Sequence, residues 1–232
     1  MSLLNSGNSK TRKGEKKGFT TYGLHLAPAN LSGFNVCKNA SAGCAAACLN
    51  TAGRGKMTMV QTARIKKTRL FFQDKQSFLA ELWQEAAKSI KSSARKNMIP
   101  CFRLNLTSDL PWEKIKFNGQ SIFEAFPSIQ FYDYTKSPER MTAFLAGQFP
   151  KNYHLTFSRS ESNGSIAEAF LASGGNVAMV FRKSLPAKFK GYSVVDGDET
   201  DLRFLDGSGV IVGLKEKGMA KKDETGFVLE PV

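Results

Sequence analysis

From residue 98 onward the chain alternates short apolar runs with polar or helix-forming stretches, and this alternation constrains the fold more than any other feature. The runs cover 98–106, 129–134, 153–158, 176–181, 192–195 and 210–214, and each reads as a strand bounded by turn-forming residues. Helical patterns at 137–149 and 165–173 separate some of them, which predicts a parallel sheet with right-handed crossovers. A further strand at 19–26, ending at the Ala27-Pro-Ala-Asn30 turn, brings the count to about seven. That number suits an α/β fold of partial or small (β/α) barrel type better than an open doubly wound sheet. Between the first two strands lie a cysteine-bearing loop and two helices, 57–72 and 77–95. The second follows a capping Asp74 and carries Phe78, Leu79, Leu82, Ala86 and Ile90 at core-facing helical spacing.

The 232 residues, 41% of them hydrophobic, suffice for one sizeable domain, expected over 19–232. Residues 1–18, with Lys10, Arg12, Lys13, Lys16 and Lys17, read as a basic flexible arm. No apolar stretch approaches the roughly 18 residues that span a bilayer, and the N-terminus lacks the apolar core of a signal peptide. A cytoplasmic protein with no membrane partner is therefore expected. Lysine and arginine outnumber aspartate and glutamate by 33 to 20, a net charge of +13. The excess points to an anionic partner such as a nucleotide or nucleic acid, against the alternative of a solvated basic surface. Besides the arm, it concentrates at Arg64, Lys66, Lys67 and Arg69 and at Lys215, Lys217, Lys221 and Lys222.

Three of the four cysteines, Cys37, Cys44 and Cys48, fall in a Cys-x6-Cys-x3-Cys run flanked by Gly, Ser, Asn and Ala. Where thiols stay reduced, such a cluster reads as metal ligands before disulfides, with plain packing and redox use as alternatives. Three thiolates can hold an iron–sulfur cluster or a zinc ion and leave one coordination position open. If the alanine-rich segment 43–49 is helical, Cys44 and Cys48 share a face and Cys37 closes the site from the preceding loop. His25, twelve residues before Cys37, is the first candidate for a fourth ligand to zinc, although it and His154 both lie within expected strands, where core histidines are commoner. Cys101 sits among apolar residues and reads as core.

Polar residues gather just after the expected strands, where parallel α/β folds build their sites. Asn105 lies on one strand, followed by Thr107, Ser108 and Asp109. Later ends supply Asp133 to Lys136, Ser158 to Glu161, Arg182 with Lys183, the acidic run 196–201, and Lys215 with Lys217. Any one of these could be a helix cap or a loop residue. Charges that interrupt apolar runs, as at Asp133, Arg159 and Arg182, are costly unless they face a cavity or a partner. The run 196–201 resembles a cation-binding loop but lacks the glycine and terminal glutamate of an EF-hand. No Ser-His-Asp order, Walker loop, Gly-x-Gly-x-x-Gly or His-Glu-x-x-His is present.

Six segments carry a resemblance: Gly23-Leu-His-Leu-Ala-Pro28, the cysteine run through Thr51-Ala-Gly-Arg54, Arg103-Leu-Asn-Leu-Thr-Ser-Asp109, Phe131-Tyr-Asp-Tyr-Thr-Lys136, His154-Leu-Thr-Phe-Ser-Arg-Ser-Glu161 and Val195-Asp-Gly-Asp-Glu-Thr-Asp-Leu-Arg203. Together they resemble a protein family of bacteriophages, prophages and plasmids with an N-terminal three-cysteine motif. The cysteine run is also similar to that of phage-encoded radical-SAM-like barrel proteins. That likeness implies a [4Fe-4S] cluster on Cys37, Cys44 and Cys48 whose fourth iron takes S-adenosylmethionine. The spacing departs from the usual Cys-x3-Cys-x2-Cys, and no Gly-Gly-Glu segment is present. The resulting expectation is an enzyme acting on a nucleotide or nucleic acid. Asp109, Asp133, Arg159 and Glu161 would line the catalytic cavity, and Asn105, Ser158, Arg182 and Lys215 would bind cofactor or phosphate. The alternatives are a non-catalytic nucleic-acid-binding protein with structural zinc, and a barrel enzyme whose cysteine segment is purely structural.

Overall fold

Each apolar run forms a strand, and the strands lie side by side in nearly the order in which the chain supplies them. The computed structural model describes residues 2–7 and 11–231. In chain order the strands are β1 (Leu4–Asn5), β2 (Phe19–Leu24), β3 (Ile99–Arg103), β4 (Lys116–Phe117), β5 (Gln120–Ser121), β6 (Gln130–Thr135), β7 (Tyr153–Ser158), β8 (Val177–Phe181), β9 (Lys188–Phe189), β10 (Tyr192–Asp196), β11 (Ile211–Lys215) and β12 (Val228–Leu229). Ten of them form one sheet in the order β1-β2-β3-β6-β7-β8-β11-β10-β9, with β12 also paired to β8. Pairings from β2 through β10 are parallel, and only the edge strands β1 and β9 run antiparallel. The mainly parallel α/β architecture matches the expectation. The sheet is open, however, and does not close into a barrel.

Strand periodicity divides the sheet into two faces. Phe102, Phe131, Leu155 and Phe157 enter the main core with Phe78, Leu79, Leu82 and Ala86 of the second long helix. The intervening Cys101 and Tyr132 pack on the opposite face with Leu202, Phe19 and Phe204. There Arg103 meets Asp201 at 3.0 Å and lies 4.4 Å from the Tyr134 ring centre, so this buried charge is paired. The helices are α1 (Ala42–Ala46), α2 (Thr58–Gln73), α3 (Lys75–Ala94), α4 (Ile122–Ala125), α5 (Pro138–Leu145) and α6 (Gly164–Ala172). Asp74 caps α3, accepting from the Ser77 amide at 3.1 Å. Among the described residues no helix is long and apolar enough to cross a membrane.

The described part of the N-terminal stretch is built into the domain rather than standing off as an arm. Leu3 and Leu4 are buried in the core, β1 pairs with β2, and residues 11–17 form a 3-10 helix; Lys10 lies outside the described residues. Two antiparallel hairpins turn on residues with positive φ, Asn118-Gly119 (50° and 82°) and Lys190-Gly191 (50° and 85°), as two-residue turns of this hand require. At the carboxyl end of the sheet β7 and β12 share one edge of β8: β7 pairs with Val177 and Ala178, β12 with Val180 and Phe181. The C-terminal segment therefore fills a fork between β7 and β8.

Candidate functional site

The loop between β2 and α2 brings the three cysteines over the carboxyl ends of β2, β3, β6 and β7. Its descent from the sheet is fixed by the Thr107 hydroxyl donating to the Leu26 carbonyl (2.6 Å) and the Asp109 amide donating to the Val36 carbonyl (2.8 Å). The Cys37 amide donates to Asn35 Oδ1 at 2.8 Å, and its Sγ lies 3.8 Å from the Thr107 carbonyl. Ser41 caps α1 by accepting from the Cys44 amide. The helix expected over 43–49 ends at Ala46. Cys48 instead adopts an extended ψ and caps the following 3-10 turn, its Sγ accepting from the Asn50 amide at 3.5 Å. Cys44 and Cys48 are thus neighbours through a helix-to-turn junction and not along one helix face.

Two residues from other elements clamp this loop. Glu161, just beyond β7, accepts from Ser41 Oγ and from the Gly43 amide, each at 2.7 Å. Although burial raises its pKa, these two bonds hold the carboxyl below the usual range. A Cβ at Gly43 would lie 2.3 Å from Thr225 Oγ1 and 2.8 Å from Glu161 Oε2, so any other residue would push these two side chains, and with them the Glu161 clamp, out of place. On α2, Arg64 donates to Asn50 Oδ1. Cys44 packs against Ala47, Ala220, Phe227 and Val228, so the C-terminal segment covers it.

The thiols affect one another. Burial pushes Cys37 up to about 11; a backbone bond from Ala29 opposes this, and Cys48, Asp109 and Cys44 push further upward. Cys48 is raised by burial and by Cys44, with the Asn50 bond, Arg64 and Lys136 acting against them. Among the described residues no group of three or more His, Cys, Asp or Glu stands ready at metal-holding spacing. The donor chemistry nonetheless fits a thiophilic metal. Three half-buried sulfurs lie within electrostatic reach of one another, one of them already accepting an amide N–H of the kind that tunes iron–sulfur ligands.

Of the residues expected at the strand ends, the structure gathers Asp109, Ser158 and Glu161 near the cysteines. Asp109 is bonded by the Thr135 hydroxyl (2.9 Å), the Lys136 amide (2.8 Å) and Arg140 Nη1 (2.6 Å). Ser158 Oγ accepts from Lys136 Nζ at 2.9 Å, and that ammonium lies 5.7 Å from the Phe227 ring centre. Asp133 and Asn105 sit deeper, in the core. The Asp133 carboxylate accepts from the Asn105 amide (2.7 Å) and Tyr153 hydroxyl (3.0 Å), while Asn105 Oδ1 collects bonds from Ser108, Leu110 and Trp112. Arg159 donates to the carbonyls of Gly226 and Phe227, and Arg182 to those of Lys221 and Asp223 and to Glu230. Both arginines hold the C-terminal segment. The exposed Lys215 offers its amide to Asp198, the carboxylate that also meets Lys217 at 2.5 Å, so lysine and backbone partners occupy that acidic run.

His25 Nδ1 lies 3.2 Å from Asn5 Nδ2, and burial, then Arg64, Lys67 and Arg103, bring the imidazole down to about 3, leaving it neutral. His154 is lowered to about 4 by burial and Arg203. Of the other residues with site contacts, Lys136 belongs to the strand-end group after β6 and Arg64 to the basic cluster of 64–69, whereas Arg140 carried neither signal. Glu161→Ala is expected to release α1 and to speed labelling of Cys44 by a thiol reagent several-fold, measured by site-resolved mass spectrometry. Unchanged labelling would show that Glu161 does not clamp the loop.

The fold and site define an α/β protein with an open, mainly parallel sheet and a three-cysteine loop across the carboxyl ends of its strands. A family model described as Gene product 88 matches residues 2–231, and the chain belongs to that family. Searches of curated proteins and of solved structures returned no match.

Proposed function

We propose that this protein is a mobile-element iron–sulfur enzyme, radical-SAM-like, that acts on a nucleotide or nucleic acid. One observation carries the reading: a loop with three mutually coupled thiols is clamped across the carboxyl ends of parallel strands, where α/β proteins concentrate their chemistry. Cys37, Cys44 and Cys48 would hold a [4Fe-4S] cluster. When bound, that group supplies one-electron reduction of a co-substrate such as S-adenosylmethionine at its open iron. The chain's own residues orient and shield. Arg140 fixes the Asp109 carboxylate beside Cys37, Lys136 presents a cation near Cys48, Glu161 sets the cysteine loop, and the apolar cluster of Ala47, Ala220, Phe227 and Val228 covers one side of Cys44.

Purification without oxygen followed by reconstitution with iron and sulfide tests the assignment. Bound iron and sulfide with broad visible absorption that dithionite bleaches are expected, and the C37S/C44S/C48S variant should lose all of them. Colourless, iron-free protein overturns the cluster. Stoichiometric zinc lost in the same variant would move the reading to a structural zinc site in a nucleic-acid-binding protein.

A further inference from the structure

Between Glu15 and Asp74 the chain has no acidic residue but nine lysines and arginines. This segment carries β2, which is buried, and the cysteine loop and α2, whose exposed parts therefore hold cationic but no anionic side chains of their own. On α2 the inward residues Arg64, Lys67, Thr68 and Phe71 are buried, whereas Met59, Thr62, Lys66, Arg69 and Gln73 recur three or four apart on the solvent face. At the end of that face Phe72, 40% exposed, stacks on Phe34 with ring centres 4.6 Å apart and planes 4° from parallel. Arg69 Nε donates to the neighbouring Ser32 carbonyl at 3.2 Å, which keeps the guanidinium in the same corner. Exposed apolar side chains concentrate here too: Leu31, Leu49, Met57 and Met59 belong to the acid-free segment.

We propose that the outer face of α2, ending in the Phe34–Phe72 stack, binds single-stranded nucleic acid and leads it toward the cysteine loop. The proposal rests on the reading above that the anionic partner is a nucleotide or nucleic acid, and it names the surface and the strand form. Single strands join a chain of phosphates to exposed base faces, the pairing that interleaved cations and an exposed aromatic stack recognise. A duplex hides its base faces. An anionic membrane would require the apolar face of α2, which is buried against the core. The sixteen residues of α2 extend about 24 Å, enough for roughly four nucleotides, the smallest single-strand site size.

The test is fluorescence anisotropy of labelled oligothymidylate and oligouridylate with the full chain over a salt series. K66E/R69E is expected to weaken binding more than tenfold and to reduce the salt slope by about 1.4, the value for two single-strand phosphate contacts. F72A should weaken it by about tenfold with the slope unchanged, as loss of one stacked base does. K151E/K188E, which makes the same change of net charge on other exposed elements, should leave affinity nearly intact. Tighter binding of either oligonucleotide supports the proposal, because both present single-stranded phosphates and open base faces. No binding, equal weakening by the control variant, or equal competition by duplex DNA or by phosphatidylserine vesicles overturns it. Colourless, iron-free protein that still binds the oligonucleotides and is weakened by K66E/R69E and F72A overturns the cluster while supporting this surface, so the two failures are read separately.

Discussion

Arg140→Ala is expected to destabilise the protein by about 3–5 kcal/mol, the range for removing one partner from a buried ionic cluster. Arg140 is 6% exposed and joins three elements. Its Nη1 meets Asp109 at 2.6 Å, Nε and Nη2 grip both oxygens of Glu113 at 2.9 Å, and Nη2 also reaches the Tyr153 hydroxyl at 2.9 Å. Without it, two carboxylates with little exposure would share one region with no cation between them. Urea titration should show an earlier midpoint at unchanged slope. Arg140→Lys should recover part of the loss, because an ammonium restores charge but not the two-pronged geometry. The effect should reach the cysteine site as well. The Asp109 amide ties down the loop at Val36, so Cys37 labelling is expected to accelerate in the alanine variant even below the unfolding transition. Wild-type stability in Arg140→Ala would mean that Asp109 and Glu113 find other compensation.

These contacts mark where the sequence was informative and where it was not. β8 was legible because burial on both faces leaves the uninterrupted apolar run Val-Ala-Met-Val-Phe, β7 because Tyr153, Leu155 and Phe157 alternate with polar residues, and α3 because its stripe and its Asp74 cap are local. β1, β9 and β12 are two residues each and carry no period. β12 depends on Arg159 and Arg182 bonding its neighbours' carbonyls from strands far away in sequence. The cysteine spacing placed three half-buried thiols in one loop. It could not show that α1 stops at Ala46, because alanine favours helix equally on both sides of the break. Glu161 and Arg159 follow the same strand and looked alike, yet one holds the cysteine loop and the other the C-terminal segment. A carboxyl-end position is consistent with facing a cavity or fastening a loop, and only the partner decides.

Asp133 should give the protein a pH dependence opposite to that of a salt-bridged carboxylate. It is buried in the core, and this burial raises its pKa to about 7 despite the opposing pull of Arg103, the Asn105 amide, Arg140 and the Tyr153 hydroxyl. In the unfolded chain the same carboxyl titrates near 3.9. The folded protein therefore binds the proton more tightly, and between about pH 4 and 7 unfolding releases it. Stability from this group is fully present below the lower value and is lost as pH rises through the upper one, by at most about 4 kcal/mol at about 1.4 kcal/mol per pH unit. Asp133→Asn keeps an acceptor for the Asn105 amide and cannot ionise. Relative to wild type, its unfolding free energy should improve by at most about 2.7 kcal/mol between pH 5 and pH 8 in urea titrations, since only the interval below the folded value contributes. A difference that stays constant with pH would mean that Asp133 is ionised throughout, with Arg103 and Arg140 offsetting its burial.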